Sequence, residues 1–399
     1  MKNDWQIRRL GELCSFENGD RGENYPSKSV QTTSGIPFIN AGHLSDSGVD
    51  FSEMNYIPRE RFELLGNGKI QKNDILFCLR GSLGKFASVG DLSEGAIASS
   101  LVIIRPGPSL LNDFVLAYLQ SDLCAQMIRE FANGAAQPNL AAASLKKFII
   151  PVPPLHEQRR IVGLLGEALD TIVIAKTNAE VNVQNARALF DSYLQSAFPE
   201  HGNGWPIKKL GELSDQITDG THISPPYVES GIPMLDSKHV KDDFKIDDSE
   251  PEKFISPDTD AQLAKRCKPR AGDILISSRG SIGKIAIVEE GQDFNIMGNM
   301  ILIRLPVNIS RKFAAFYLKS RVSHIESIAR GVAQKGLYLN QVRDYELPLP
   351  SEAQQATIGK RLDAIYIETQ HLESNYQQKL TMLDELKKSL LNQAFSGEL

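Results

Sequence analysis

Trp5-Gln6-Ile7-Arg8-Arg9-Leu10-Gly11-Glu12-Leu13 returns 200 residues later as Trp205-Pro206-Ile207-Lys208-Lys209-Leu210-Gly211-Glu212-Leu213. The echo continues outward from there. Ser34-Gly35-Ile36-Pro37 returns as Ser230-Gly231-Ile232-Pro233, and Phe114-x-x-x-Tyr118-Leu119-x-Ser121 as Phe313-x-x-x-Tyr317-Leu318-x-Ser320. Asp74-Ile75-Leu76-x-x-x-Arg80-Gly81-Ser82-x-Gly84-Lys85 returns as Asp273-Ile274-Leu275-x-x-x-Arg279-Gly280-Ser281-x-Gly283-Lys284. Pro151-Val152-Pro153 matches Pro348-Leu349-Pro350, and Ala197-Phe198 matches Ala394-Phe395. The offsets stay between 196 and 200, so the copies differ only by small insertions. Solenoid units run roughly 20–50 residues, far shorter than this period. The chain is a duplicated pair of whole modules, which implies a partner or substrate with two similar, separated sites.

The prolines near 151 and 348 divide each half, because proline breaks a helix and extends the residue before it. Upstream, short β-rich runs bounded by Gly, Asn and Asp predict strands at Ile36–Asn40, Asp74–Leu79, Phe86–Val89 and Ala98–Arg105. Their copies fall near Ile232–Leu235, Asp273–Ser277, Lys284–Val288 and Met300–Leu305, and Asn112–Ser121 and Arg311–Ser320 read as short helices. The modules are therefore α/β or α+β. Downstream, residues 155–198 hold no proline, and apolar or small residues recur at helical spacing. They are Ile161, Leu165, Ala168, Ile172, Ala175, Ala179, Ala186, Leu189 and Tyr193 in one copy. In the other they are Ile358, Leu362, Ile365, Leu372, Tyr376, Leu383, Leu386 and Leu390. A 3–4 alternation sustained this far reads as coiled coil. Some 40 residues would make a rod of roughly 60 Å. A polar residue interrupts both patterns at one position, Asn182 and Lys379, either fixing register or marking an exposed turn. Two such stripes bury each other most simply within the chain. If they run antiparallel, the modules sit at opposite ends of a spacer with approximate two-fold symmetry. The expected domains are 1–153, a spacer helix over 154–200, a second module over 201–350 and a second spacer over 351–399.

Composition restricts the function classes. Net charge is −5, which argues against a nonspecific polyanion binder. The segments 1–150, 151–200, 201–350 and 351–399 carry −1, −2, 0 and −2, so any nucleic-acid binding must come from local patches. The four cysteines, Cys14, Cys78, Cys124 and Cys267, show no CxxC spacing and read as reduced thiols. The N-terminus lacks the apolar stretch of a signal peptide, and no run approaches the roughly 18 apolar residues of a membrane span. A cytoplasmic location with no membrane partner is expected.

Taken together, the paired openings, the Asp-Ile-Leu-x-x-x-Arg-Gly-Ser-x-Gly-Lys segments and the module–helix alternation resemble the specificity subunit of type I restriction-modification systems. Pro153-Pro154-Leu155-x-Glu157-Gln158-Arg159-Arg160-Ile161-Val162, Asp219-Gly220-Thr221-His222 and the closing Ala394-Phe395-Ser396-Gly397-Glu398-Leu399 fit the same family. The resemblance covers essentially the whole chain. It implies that each module is a target recognition domain reading one half of a split site in double-stranded DNA. It also implies that the helices dock two methyltransferase subunits, with restriction subunits joining them. No cofactor is then expected on this chain; S-adenosylmethionine, ATP and Mg belong to the partners. The second helix departs from the pattern, since Ser351-Glu352-Ala353-Gln354-Gln355 stands where Pro154-Leu155-His156-Glu157-Gln158 stood. The predicted geometry agrees: two reading heads need half-sites about one helical turn, ~34 Å, apart.

The local patches best suited to DNA are Arg80, Ser82 and Lys85 with Arg279, Ser281 and Lys284. Glycines let the backbone approach closely while these side chains donate to phosphate oxygens. The same Gly-Ser-x-Gly spacing also suits a plain tight turn between strands. If the halves read different bases, residues common to both copies hold the fold or the backbone. Base readout then lies where the copies diverge, at 16–33 against 214–229, 41–72 against 237–271, and near 132–140 and 330–338. The candidates there are Asn18, Arg21, Asn24, Lys28, Asn40 and His43, then Thr221, His222, Tyr227, Lys238, His239 and Lys241. Gln137 and Gln334 match in the late loops, where an amide contact to adenine competes with a helix-entry hydrogen bond.

Other chemistries find little footing. Ser224-Pro225-Pro226-Tyr227 is similar to the acidic/Asn-Pro-Pro-Tyr motif of adenine methyltransferases. It opens on Ser, has no copy in the first half, and no glycine-rich cofactor loop accompanies it. The seven histidines form no HExxH, and the chain is expected to have no catalysis of its own and no metal. The rival reading is a structural adaptor with two protein- or glycan-binding modules on a coiled-coil spacer.

Overall fold

The computed structural model describes residues 5–45, 48–134, 138–198, 204–329 and 336–399. Its contacts divide the chain into two units, Met1–Ala179 with Gln378–Leu399, and Glu180–Gln377. Each unit holds one module and portions of both long helices.

The repeated opening motif is a clasp. In the first unit Gln6–Arg9 pairs antiparallel with Ile149–Val152, the strand just before the first long helix. One helical turn follows, Leu10–Leu13, with Leu10 and Leu13 buried. Gly11 lies so close to the chain that an added Cβ would stand 2.8 Å from Lys146 Cβ, which explains the Leu-Gly-Glu-Leu spelling. In the second unit Ile207–Lys209 pairs with Glu346–Pro348, and Leu210–Leu213 repeats the turn. Each clasp joins a module's first strand to its last, so a helix leaves from where the module began.

Between the clasp strands of each unit lie a larger and a smaller sheet, and the first unit adds a two-stranded pair, Leu44–Ser45 with Gly48–Val49. The larger, in the first unit, is antiparallel and ordered Cys14–Asn18, Leu101–Pro106, Ile75–Cys78, Phe86–Ser88. The second unit repeats the order with Gln216–Asp219, Met300–Arg304, Ile274–Ser277 and Ile285–Ile287. The central strands are buried on both faces, as their unbroken apolar runs require. A smaller sheet places Ile36–Ile39 between Asn55–Ile57 and Ala96–Ile97. Its counterpart places Ile232–Leu235 between Phe254–Ile255 and Asn295–Ile296, and adds the edge strand Tyr227–Val228. An ion pair on a buried aspartate ties each large sheet together. Arg105 reaches Asp74 through Nε and Nη2 at 2.8 and 2.9 Å, and Glu17 through Nη1 at 2.5 Å. Arg304 grips Asp273 at 2.9 and 2.6 Å and Gln216 at 2.9 Å.

The long helices are Leu155–Ala197 and Glu352–Ser396, of 43 and 45 residues. They run antiparallel. Lys176 pairs with Asp384 within the first unit, and Arg187 with Glu373 within the second, so one residue number rises as its partner's falls. Ile161, Leu165, Ile172, Ala179 and Ala186 are buried on the first helix, as the heptad reading predicts. Beyond Ala186 the stripe changes. Leu189 and Tyr193 are 46% and 40% exposed, and Phe190, Leu194 and Phe198 are buried instead. The cause is a new neighbour: Phe190 packs on Phe316 and Tyr366, with ring centroids 6.1 and 5.0 Å apart, so the last turns follow a four-residue spacing. Leu386, also expected in the seam, is 47% exposed, while Leu391, Ala394 and Phe395 are buried. Asn182 is half-buried and Lys379 exposed.

The helix ends explain three repeated motifs. Phe395 sits against Phe114 and Tyr118 at 5.1 and 5.8 Å. Phe198 sits against Phe313 and Tyr317, both at 5.4 Å. Each Ala-Phe thus fills a seat built by a Phe-x-x-x-Tyr helix. At the other end, Gln158 accepts from Leu111 N and donates to Ser109 and Pro153 carbonyls, all at 2.9 Å. Gln355 accepts from Ser310 N at 3.0 Å and donates to the Pro350 carbonyl at 2.9 Å. The second helix departs from the first in sequence at its start, yet keeps this anchor.

Candidate nucleic-acid interface

Arg80-Gly-Ser-x-Gly-Lys85 is a hairpin loop between two strands of the large sheet. Gly84 N donates to the Cys78 carbonyl at 3.0 Å and Lys85 N to the Ser82 carbonyl at 3.1 Å. Gly81 and Gly84 adopt φ of 82° and 84°, Gly280 and Gly283 77° and 84°, a region open to glycine at little cost. The turn reading of these glycines is therefore correct, and it leaves the polar side chains outward. Arg80, Ser82, Lys85, Arg279 and Ser281 are exposed. Lys284 differs: it is half-buried and pairs with Asp242 at 3.2 Å. Each loop also touches the late loop of its module, through bridges from Arg80 to Asn139 and from Arg279 to Gly336.

The divergent segments converge beside these loops. In the first module Leu79 N donates to the Ser100 carbonyl, Leu140 N to the Leu79 carbonyl and Ala98 N to the Ile39 carbonyl. Ala98–Ser100, read from sequence as the start of a strand, is a turn, and the strand begins at Leu101. Arg21, from the early loop, donates to the Ser99 carbonyl at 3.2 Å. In the second module the copies of these bonds run from Ser278 to Asn299, Leu337 to Ser278 and Met297 to Leu235. Here His222 occupies the place of Arg21: a Cβ on Gly298 would fall 2.4 Å from its Nδ1. Its Nε2 is 2.6 Å from Asp219, which Arg266 also grips. Early loop, strand-end turn, Arg-Gly-Ser hairpin and late loop thus form one surface in each module.

The candidate readers separate on this surface. Arg21 and Lys28 are exposed in the early loop, and Asn18 at the end of its strand. Asn24 is occupied, donating to the Leu64 carbonyl and accepting from Arg61. Thr221 bonds its own loop at Ile223. Tyr227 lies on the added edge strand under Lys253, whose Nζ is 5.1 Å from its ring. Lys238 pairs with Glu252 at 2.5 Å and Lys241 with Asp247 at 3.1 Å, pairs on the surface that phosphate can displace. His43 and His239 take a different role from the one sequence suggests. Both are buried, and both accept a backbone N–H at Nδ1, from Asn40 at 3.1 Å and Asp236 at 3.0 Å. Each holds a turn through its ring nitrogen. Gln137 and Gln334 lie outside the described residues.

The remaining chemistry is sparse. Among the described residues no group of three or more His, Cys, Asp or Glu could hold a metal ion. The cysteines are buried and free, and burial pushes the thiols of Cys14, Cys124 and Cys267 up to about 12. Among the described residues no helix is long and apolar enough to cross a membrane.

Known proteins share this architecture. A chain from a study of complex assembly and conformational transition in the type I restriction-modification system superposes with a TM-score of 0.83. It is 21% identical, and the match covers 100% of this chain and 99% of that one. The HsdS subunit from Thermoanaerobacter tengcongensis gives 0.62 at 20% identity, covering 100% and 98%. In sequence, a putative type I restriction enzyme MjaX specificity subunit of Methanocaldococcus jannaschii is 24% identical over 99% of this chain and 94% of its own. The type I restriction enzyme EcoKI specificity subunit of Escherichia coli K12 is 22% identical over 91% and 82%. The family model of the type I restriction-modification DNA specificity domain matches twice, at residues 2–183 and 203–382. With both modules and most of both helices inside those matches, the chain belongs to the type I restriction-modification DNA specificity domain family.

Proposed function

We propose that this chain is the recognition component of a type I restriction-modification complex, selecting a bipartite, asymmetric site in double-stranded DNA. The observation that carries this reading is the double family match on modules with one fold and unlike loops. One fold implies one mode of docking; unlike loops imply unlike half-sites. The family match does not favour the adaptor reading. Exposed Arg80, Lys85 and Arg279 are suited to the phosphate backbone, beside the divergent segments that supply candidate base contacts. The chain positions two methyltransferase subunits along its helices, and restriction subunits join them. Catalysis then belongs to the partners, with S-adenosylmethionine, ATP and Mg, and the target adenine flips into a methyltransferase rather than into this chain. The complex works in the cytoplasm.

The test is methylation sequencing of host DNA with this gene present and deleted, the cognate methyltransferase being expressed in both. A split motif carrying methyladenine on both strands, lost on deletion, is the expected result. An unchanged methylome beside an active methyltransferase refutes the reading.

A further inference from the structure

Because the modules share one plan, equivalent atoms can be compared. In each, the middle strand of the small sheet ends in a turn capped by its own first side chain. Asn40 Oδ1 accepts from Gly42 N at 2.8 Å, and Asp236 Oδ1 accepts from Lys238 N at 3.1 Å. Buried His43 and His239 close the two turns from behind. The turn therefore dictates which side-chain atom faces inward, and it settles the orientation of the Asn40 amide. The atom left over differs. Asn40 leaves Nδ2, a donor; Asp236 leaves Oδ2, an acceptor. Neither atom has a hydrogen-bond partner among the described residues, and both side chains are part-exposed. The modules thus present the same shape with opposite hydrogen-bonding polarity.

The surroundings suit a ligand. Register makes Asn55 and Lys253 equivalent, one strand away from the turn. Asn40 and Asn55 together line two adjoining clefts of about 730 and 340 Å³. In the second module the turn adjoins the Arg-Gly-Ser hairpin: a Cβ on Gly280 would lie 3.9 Å from Ser237 Oγ. Asn299 Nδ2 donates to that hydroxyl at 3.0 Å, and its carbonyl accepts from Ser278 N, beside Arg279.

We propose that Asn40 and Asp236 are specificity-determining residues, each reading a base edge in its own half-site with opposite polarity. The outward amide of Asn40 suits acceptors, guanine O6 or N7 or thymine O4. The outward carboxylate oxygen of Asp236 suits the amino groups of cytosine or adenine. The proposal rests on the DNA-recognition reading above.

The test exchanges the polarity without changing the shape. Full-length Asn40→Asp and Asp236→Asn, each assembled with the methyltransferase, are selected against duplexes randomised in one half-site at a time. Asn40→Asp is expected to shift preference at one base pair of one half-site by roughly ten-fold. The other half-site and the salt dependence stay as they were. Asp236→Asn does the reverse. Unchanged preference in both halves overturns the proposal. So does loss of binding to every sequence at an unchanged melting temperature, which places the residue against phosphate. Should Asn40→Asp unfold early, Asn40→Ser keeps a capping oxygen and lacks the second atom. It is expected to relax the same base pair, and an unrelaxed preference overturns the proposal. A wild-type complex that selects no split motif refutes the underlying recognition reading instead.

Discussion

Asp74 and Arg105 show what a residue common to both modules does. Asp74 is 2% exposed and takes two guanidinium donors plus the Gln71 N–H, while Arg105 also donates to the Lys69 carbonyl. Asp273 and Arg304 repeat every part of this. Losing Asp74 leaves the half-buried Arg105 with Glu17 alone, whereas losing Asp273 leaves the half-buried Arg304 with no ion-pair partner among the described residues. Asp273→Asn should cost about 2–3 kcal/mol in urea unfolding and Asp74→Asn less, since Arg105 keeps Glu17, and a loss below about 1 kcal/mol for Asp273→Asn refutes the role. His43 and His239 teach the same lesson in reverse. They fall in stretches that diverge around them, so they look like readers, yet they match at an offset of 196 and hold identical turns. Identity inside a divergent segment was the usable signal. The hairpin cations call for the opposite test. Arg80→Ala, Lys85→Ala and Arg279→Ala should weaken binding to all sequences alike and reduce the salt slope by about 1 each. Lys284→Ala should do less, because Lys284 must first leave Asp242. A changed sequence preference with an unchanged slope would sink the backbone assignment.

Elements were legible where one periodicity governs them. The unbroken apolar runs of the central strands and the heptads from Ile161 to Ala186 are set by burial alone, and both stand in the structure within a residue or two. The clasp strands were hidden because Gln6–Arg9 and Ile207–Lys209 are largely exposed and polar, held by main-chain pairing that leaves no apolar pattern. Tyr227–Val228 escaped because it is only two residues long, both exposed, and held by main-chain pairing. The end of the first helix misled because its neighbour changes: once Phe190 meets Phe316, the seam turns by one residue and Leu189 falls outside. Long-range seats of this kind have no local signature, although the repeated Ala-Phe pointed at one. Phe395 and Phe198 are 5% and 2% exposed within aromatic surroundings. Phe395→Ala or Phe198→Ala should therefore cost about 3–5 kcal/mol, a transfer loss plus a cavity. Chemical unfolding of the full chain measures this, and a cost near that of a surface substitution would show that the seats carry little load.

For the molecule as a whole, duplication separates what holds a module in place from what it reads. The clasp, the Asp–Arg grip, the helix-entry glutamine and the Phe-x-x-x-Tyr seat occur in both units with the same partners. The loops carrying Arg21 and His222, and the outward atoms of Asn40 and Asp236, do not match. Everything a module needs in order to join its helices is therefore already present in the other module. A near-neutral balance in both large segments also means that neither brings a charge the other lacks. Replacing the first module by a copy of the second, joined at the prolines before each helix, should give a chain that melts close to the parent temperature. Since the seats are shared and the readers are now alike, its complex with the methyltransferase should methylate a motif whose two half-sites carry one and the same sequence, that of the second module. Methylation sequencing decides it. A folded chimera that still selects unlike halves would mean that the helices or the partners contribute to base choice, and the division between holding and reading would fall.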